Sequence, residues 1–295
     1  MGRSHALSGW CAGLATAPLV GLTSVAEVVP FAAATAGYAL LPDLDHPGAS
    51  ASRLLGPITG LVSGAIRAFS GLLYAITKGP RDEDSTGRHR HATHTVAAAL
   101  LLGLLSAAAG ASGGKWAVLA VALTGLVLAA DVLGDWVITV AIGAAAWPVV
   151  DAVLPRAAAD ALPGTTAAAA VQAGLAGIGS WIGAAVALGM FVHCLGDSLT
   201  RSGCPWLWPL PIRGETWYEI RLPQVLRFRT GGRVERLIIA PLLIAGGILL
   251  LPGALHVLQE FASTTSVWVA GSQSRRSDEI LLEMSPGTLE IVDES

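Results

Sequence analysis

The sequence predicts an all-α integral membrane protein, a polytopic bundle of about six or seven transmembrane helices with a small interfacial strand-and-turn excursion. Two observations carry this prediction. Hydrophobic residues make up 53% of the 295 residues and charged residues only 13%, and the mean hydropathy is +0.61. Such a chain is too apolar for an ordinary soluble domain. Apolar runs near the roughly 20 residues that cross a bilayer core also recur along it.

Seven apolar runs are the candidate transmembrane helices, and each approaches or reaches the length of a full crossing. They cover residues 6–22, 25–41, 96–111, 116–130, 136–150, 167–192 and 237–255. The first run follows Arg3 as the core of a signal peptide would, but no small-residue cleavage site leads into a soluble mature protein. We therefore expect a retained helix. The 35 glycines and the alanine runs favour close packing of these helices in lipid.

A further apolar run, residues 53–78, is not counted among these helices. It contains Gly56-Pro57 and a central arginine, Arg67. This pattern predicts an amphipathic segment that lies on the membrane surface or re-enters the membrane.

Basic residues indicate how the chain is oriented. Residues 200–236, called here the arginine-rich segment, carry seven arginines. The aromatic residues of this segment and its Gly231-Gly232 pair predict the small strand-and-turn excursion at the interface. The positive-inside rule places the segment in the cytoplasm, together with Arg3 and the loop of residues 78–90.

The chain divides into a membrane-embedded domain, residues 1–260, and a polar C-terminal tail, residues 261–295, which the same rule places outside. We expect a multi-pass protein of the cell membrane whose partner is the lipid bilayer. The net charge of −3 points to no nucleic-acid partner. The three cysteines form no CxxC pair, so neither a disulfide framework nor a cysteine zinc site is indicated. The sequence leaves the oligomeric state open.

Histidine and aspartate residues cluster at the ends of the apolar runs on the predicted cytoplasmic side. The clusters are His5; Asp43, Asp45 and His46; His89, His91 and His94; Asp131 and Asp135; and His193 and Asp197. His193 and Asp197 are four residues apart, which places both side chains on one face of a helix. Neutral imidazole and carboxylate suit zinc or a similar divalent ion. The clusters therefore predict a metal site.

Each cluster taken alone also has a purely structural explanation. A histidine and an aspartate at a helix end are often a hydrogen-bonded cap, residues 42–46 fit a turn, and residues 89–94 fit a solvated basic loop. Asp131 and Asp135 fit helix-end caps as well as residues that orient metal ligands. Ionisable groups at membrane depth are costly and tend to be functional, however, and three such clusters on one side would need three separate explanations. The metal site is the simpler interpretation.

Three motifs carry a resemblance to a known family. They are residues 40–47, Leu-Leu-Pro-Asp-Leu-Asp-His-Pro; residues 89–95, with His89-Arg90 and Thr93-His94-Thr95; and residues 193–203, with His193, Asp197, Thr200 and Gly203. In order and spacing they resemble the YdjM-type family of membrane-bound metal-dependent hydrolases. His5 and residues 228–235 resemble that family too, so the likeness covers residues 5 to about 240. A thinner likeness is to zinc-dependent phospholipases C.

This resemblance implies a hydrolase that uses a divalent metal to activate water. We expect one or two ions, with zinc first and manganese, magnesium or iron as alternatives. The expected ligands are His5, Asp43, Asp45, His94, His193 and Asp197. His46 or His89 would serve as general acid or as further ligands, and Thr93 and Thr95 would orient the imidazoles. His91 stands where the family usually has glycine, which leaves open an extra ligand or a tolerated surface change.

The arginine-rich segment indicates a substrate that contains phosphate, because guanidinium groups pair with phosphate in bidentate fashion. A site at the membrane surface then favours a phospholipid or lipid-linked phosphate. The alternative is that these arginines only fix the topology. Two other functional classes stay open: a cation transporter, which requires polar residues near mid-span, and a non-catalytic membrane anchor that recruits a cytoplasmic partner.

Overall fold

The computed structural model describes residues 2–157 and 164–254 of the chain. Contacts divide the chain into a compact unit, Met1–Leu251, and a second unit, Pro252–Ser295. Of the second unit only residues 252–254 are described, so the predicted tail of residues 261–295 lies outside the described residues. The predicted domain boundary at residue 260 stays a prediction.

The described residues are mostly helical. The α-helices are α1 (Gly2–Thr16), α2 (Val25–Tyr38), α3 (Pro57–Thr77), α4 (Val96–Ser112), α5 (Gly114–Leu133), α6 (Trp136–Ala157), α7 (Gly164–Ser198) and α8 (Ala240–Leu249). Short 3-10 turns precede or follow several of them, among them Pro42–Asp45 after α2 and Ala92–His94 before α4. A π-helical turn, Glu235–Ile239, runs directly into α8.

Four stretches of helix are long and apolar enough to cross a membrane: Val25–Asp45, Pro57–Thr77, Gly114–Leu133 and Gln172–Ser198. The predicted count of six or seven is not confirmed. The first predicted run folds as α1 followed directly by a 3-10 turn, Ala17–Val20, and the last as the π-helical turn followed by α8, so neither is a single α-helix of about 20 residues. In contrast, Pro57–Thr77 is long and apolar enough to cross a membrane, although it is not among the predicted spans. Because it contains a single arginine, its mean hydropathy stays at 1.3.

Helix α2 lies at the centre of the bundle, and nearly all of its residues are buried against α1, α5, α6 and α7. Its close approach to α5 depends on two glycines. A Cβ atom added to Gly37 would lie 1.7 Å from the carbonyl oxygen of Gly125. Helices α4 and α7 are close in the same way, since a Cβ on Gly110 would lie 2.4 Å from the carbonyl oxygen of Gly179. The packing of small residues expected from the composition is therefore present.

Several helix ends meet at one end of the bundle, called here the site end. The start of α1, the end of α2, the start of α4 and the end of α7 all lie there. The ring nitrogen Nδ1 of His193 on α7 is 2.8 Å from the carbonyl oxygen of Ala39 at the end of α2. The Nε2 atoms of His193 and His94, the latter just before α4, are 3.1 Å apart.

The arginine-rich segment packs on the site end without forming strands. The described residues include no β-sheet, and within the segment only isolated bridges pair Thr200 with Phe228, Cys204 with Ile220 and Ile212 with Glu215. Its four prolines lack the N–H group that a strand ladder needs, which explains why the predicted strands fold as turns. The Cys204 thiol donates a hydrogen bond of 2.9 Å to the carbonyl oxygen of His94.

Candidate metal site

His193 and Asp197 lie on the inner face of α7, one helical turn apart. Both side chains are completely buried, and Nε2 of His193 is 3.7 Å from Oδ2 of Asp197. The i, i+4 spacing therefore does what the sequence predicted, because it aims an imidazole and a carboxylate at the same point. His94 reaches that point from the turn before α4, with its Nε2 atom 3.6 Å from Oδ2 of Asp197.

The two buried imidazoles face each other through their Nε2 atoms, which are 3.1 Å apart. The Nδ1 atom of His193 faces the carbonyl oxygen of Ala39, which can only accept, so Nδ1 holds the proton. The Nδ1 atom of His94 likewise faces Thr93 Oγ1 at 3.0 Å and Asp45 Oδ2 at 3.4 Å. In its neutral form each ring then presents a lone pair on Nε2. Two such lone pairs at this distance need a cation between them, either a metal ion or a proton that the two rings share.

This separation fits a shared metal ion. Two nitrogens bound to one tetrahedral zinc ion, each at about 2.0–2.1 Å, lie roughly 3.3 Å apart. The distance of 3.1 Å between the Nε2 atoms of His94 and His193 is close to that value. The hydrogen bonds on the opposite side of each ring are the ones that orient histidine ligands in metal proteins.

Asp197 contributes a buried carboxylate that lacks ordinary hydrogen bonds. Neither of its oxygens has a hydrogen-bond partner among the described residues, although both are shielded from solvent. Oδ1 lies 3.4 Å from Nε2 of His5 and 3.3 Å from Nη2 of Arg90. A buried carboxylate without hydrogen bonds is costly. Its neighbours are imidazole and guanidinium groups.

A second group of possible ligands adjoins the first and shares His193 with it. His5, Asp43 and His193 each place one ligand atom within 4.8 Å of the others, as His94, His193 and Asp197 do. The His5 ring stacks on the His193 ring, with centroids 4.0 Å apart. Nε2 of His5 is buried and also lacks a hydrogen-bond partner among the described residues. The structure thus brings five of the six predicted ligands together.

Asp45, the sixth predicted ligand, belongs to neither group. Its Oδ1 atom lies 2.5 Å from Nδ1 of His89, and its Oδ2 atom accepts hydrogen bonds of 2.9 Å from the backbone N–H of Arg90 and from Thr93. Both oxygens are therefore engaged with the loop that carries His94. Thr93 contacts the His94 imidazole, as expected. Thr95 does not, because its hydroxyl caps α4 by accepting from the N–H of Ala98 at 3.0 Å.

His46 and His89, the predicted proton-transfer residues, line a cavity of about 340 Å³ beside the buried ligands. Their ring centroids are 4.7 Å apart. Asp43, Arg90 and Thr230 also line this cavity, which therefore connects the ligand cluster with the surface. Desolvation and the neighbouring His89 ring lower the pKa of His46 below its ordinary value, which favours the neutral imidazole.

The other polar residues singled out in the sequence lie elsewhere. His91 packs between Tyr74 and Trp217, with ring centroids 4.6 and 5.2 Å away, and burial lowers its pKa. It belongs to neither ligand group. Asp131 lines a separate cavity of about 540 Å³, and Asp135 is an exposed residue directly before α6.

Glu235, from the segment before the last helix, connects α8 to the start of α1. It accepts a hydrogen bond of 2.6 Å from the Ser4 hydroxyl and another of 2.6 Å from the N–H of Gly231. Burial alone would raise the pKa of Glu235, but these hydrogen bonds outweigh it, so the pKa lies below its ordinary value. The contact holds the α1 turn that contains His5.

Two contributors to the site were not assigned in the sequence analysis. Arg90 adopts a left-handed backbone conformation, with φ of 60°, and its guanidinium reaches Asp197. The sequence signal that could have identified Arg90 is its position directly after His89. The carbonyl group of Ala39, which orients His193, gave no signal because backbone groups are the same in every residue.

Comparison with known proteins gives one family. A family model described as YdjM inner membrane protein matches residues 1–165 and 161–254, and so covers every helix described above. No curated protein and no solved structure matches the chain.

Proposed function

Because this chain belongs to the YdjM inner membrane protein family, we propose that it is a membrane-bound metal-dependent hydrolase. One observation carries the proposal. The Nε2 atoms of His94 and His193 face each other at 3.1 Å beside the buried Asp197 carboxylate, which has no hydrogen bond among the described residues. A divalent ion bound between them would satisfy all three groups at once.

In this proposal His94, His193 and Asp197 hold a divalent ion through one ligand atom each, and His5 and Asp43 lie beside them as the further ligands of one or two ions. Two imidazoles and one carboxylate form a donor set typical of zinc, with manganese, magnesium or iron as alternatives. A bound ion of this kind supplies a water molecule with a pKa near neutrality and polarises the scissile bond.

The surrounding residues then have distinct roles. Asp45 positions His94 through the hydrogen-bonded loop, and the Ala39 carbonyl group positions His193. His46 and His89 line the cavity next to the ligands, where an imidazole can take or give a proton during hydrolysis. Arg90 lines the same cavity and can pair with an anionic group of the substrate.

The proposed substrate is a phosphoester of the lipid type. The cavity combines a guanidinium group with two histidines at the end of a membrane-embedded bundle, which suits an amphiphilic molecule with a phosphate head. We place this end on the cytoplasmic side, since the arginine-rich segment packs on it and basic loops are retained in the cytoplasm.

The test is the metal content of the detergent-purified protein, measured by elemental analysis. We expect about one or more zinc, manganese or iron ions per chain, and loss of metal in the His193→Ala and Asp197→Ala variants. His91→Ala is the matched control, because this half-buried histidine packs on Tyr74 and Trp217 outside both ligand groups and should leave the metal content unchanged.

Hydrolysis is tested with the same proteins on phosphoesters and phospholipids. Metal that is bound by the wild type, together with hydrolysis that is lost in the His193→Ala variant, supports the enzyme. Absence of metal from the wild type even after reconstitution would contradict the proposal and favour the membrane anchor or the transporter.

A further inference from the structure

Helix α3 has its polar side chains turned inward and its apolar side chains turned outward. Its polar stripe recurs every three or four residues and so occupies one face: Thr59, Ser63, Arg67, Ser70, Tyr74 and Thr77. All six of these residues are buried or half-buried. Every exposed position between Pro57 and Ile76 is apolar or glycine, and the large exposed side chains are Ile58, Leu61, Val62, Phe69, Leu72 and Ile76. This is the reverse of a helix on the surface of a soluble protein.

The inward face is bound to the loops of the site end. The Ser70 hydroxyl donates a hydrogen bond of 2.6 Å to the carbonyl oxygen of Gly87 and accepts one of 3.2 Å from the N–H of Ala92. The Tyr74 hydroxyl donates to the carbonyl oxygen of Glu83. Thr77 accepts a hydrogen bond of 3.0 Å from the Trp217 indole. These contacts join α3 to the loop that carries His89 and His94 and to the arginine-rich segment.

The placement of these contacts gives the direction of α3. A helix of 21 residues is about 32 Å long, enough to extend along the whole bundle if it crossed the membrane beside the other helices. Its main contacts are instead with the turns Pro42–Asp45, Ala51–Arg53 and Ala92–His94. All three turns lie at the site end. The helix therefore lies across that end.

We infer that α3 lies in the plane of the membrane surface at the site end, with its apolar face in the lipid of that leaflet. Helices of this kind bury their apolar face about 5–10 Å deep, at the boundary between headgroups and acyl chains. Arg53 and Lys78, the exposed basic residues at the two ends of the helix, are placed to reach the headgroups. The inference goes beyond the proposed function and does not depend on it.

Lipid fits this face better than a protein does. A protein interface has an apolar centre with a polar rim, and its polar groups pair across the contact. The outward face of α3 has no polar side chain from Pro57 to Ile76 and has charge only beyond its two ends. The consequence is that the loops bearing Asp45 and His94 are fixed between the helical bundle and a lipid-bound helix.

The test measures the depth of spin labels by electron paramagnetic resonance in liposomes of phosphatidylethanolamine and phosphatidylglycerol. Labels are placed singly through Leu61→Cys, Phe69→Cys and Ile76→Cys in a Cys11→Ser background, since the other two cysteines, Cys194 and Cys204, are buried. Relative accessibility to oxygen and to a water-soluble nickel chelate gives the depth. We expect the same shallow depth at all three positions, with oxygen favoured over nickel.

The matched control is α5, a candidate span, labelled through Trp116→Cys, Leu123→Cys and Asp131→Cys, which have nearly the same spacing and are also exposed. Its central label should lie about 10 Å deeper than the outer two, given a rise of 1.5 Å per residue. The same profile on α3 would overturn the inference and make α3 a span. Low accessibility to both reagents would mean that protein covers the face, and high accessibility to nickel would mean that water does. Either result also overturns the inference. If one of the first variants fails to fold, Val62→Cys and Leu72→Cys are used to repeat the measurement.

Discussion

At the scale of single residues, the site depends on which nitrogen of each histidine holds the proton. The Ala39 carbonyl group and the Asp45 carboxylate fix the protons of His193 and His94 on Nδ1, and this leaves both Nε2 atoms available to a metal. The ligands themselves were predictable from the sequence because histidine and aspartate are recognisable donors. The orienting carbonyl group was not, because the chain fold alone brings it to the ring.

Asp45→Asn tests whether Asp45 positions His94 or binds the metal directly. The amide keeps the shape but loses the charged acceptor beside Nδ1 of His94 and Nδ1 of His89. We expect metal affinity to fall by about 10–100-fold, the usual effect of removing a carboxylate that orients a histidine ligand. The measurement is competition with a chromophoric chelator.

Asp82→Asn is the control for this prediction. Asp82 also accepts hydrogen bonds with both carboxylate oxygens, of 2.7 Å from the N–H of Gly79 and 3.0 Å from the N–H of Trp217, but it lies outside both ligand groups. Its substitution should leave the affinity unchanged. If Asp45→Asn abolished binding as completely as Asp197→Asn, Asp45 would be a ligand, as the sequence analysis expected.

At the scale of the helices, close backbone contact replaces the hydrophobic effect as the source of packing energy, because lipid is as apolar as the side chains. Apolar runs predicted where the helices are, since hydropathy is a property of each segment by itself. They did not predict how the helices are built: the last helix begins as a π-helical turn, Glu235–Ile239, that continues into α8. The apolar runs also did not predict which face of α3 points outward, because this depends on the loops packed against the helix.

Gly37→Ala should destabilise the bundle. The added methyl group would lie 1.7 Å from the carbonyl oxygen of Gly125, so α2 and α5 would have to separate. We expect a loss of about 1–3 kcal/mol, the usual cost of overpacking a core, and a lower midpoint of thermal unfolding in detergent. Gly143→Ala on α6 is the matched control, because no atom lies within 4 Å of the position that its methyl group would take, and it should be neutral or slightly stabilising. Equal midpoints for both variants would contradict the close contact.

At the scale of the whole molecule, the buried histidine, aspartate and glutamate side chains of the described residues are confined to the site end. Among the described residues the fully or nearly buried ones are His5, Asp45, His94, His193, Asp197 and Glu235. Deeper in the bundle, the buried hydroxyl of Thr35 is satisfied by the carbonyl oxygen of Phe31. A cation pathway needs polar groups near mid-span, so this distribution favours the hydrolase over the transporter. That these residues converge on one side could be predicted from the sequence, because successive membrane crossings return the chain to the same side. The distances between their side chains could not, because they depend on the folded structure.

Metal removal should lower the stability of the entire bundle. The proposed ligands come from α1, the turn after α2, the turn before α4, and α7, so an ion would link segments that are far apart in sequence. An ion that binds only the folded protein stabilises it by about 4 kcal/mol at a free concentration of 1,000 times Kd. We expect the midpoint of thermal unfolding in detergent to fall after treatment with a chelator and to recover on addition of zinc. His94→Ala should show the lower midpoint with or without zinc, whereas His91→Ala should respond as the wild type does. If neither the chelator nor zinc changed the midpoint of thermal unfolding of the wild type, this would contradict metal binding by the folded protein.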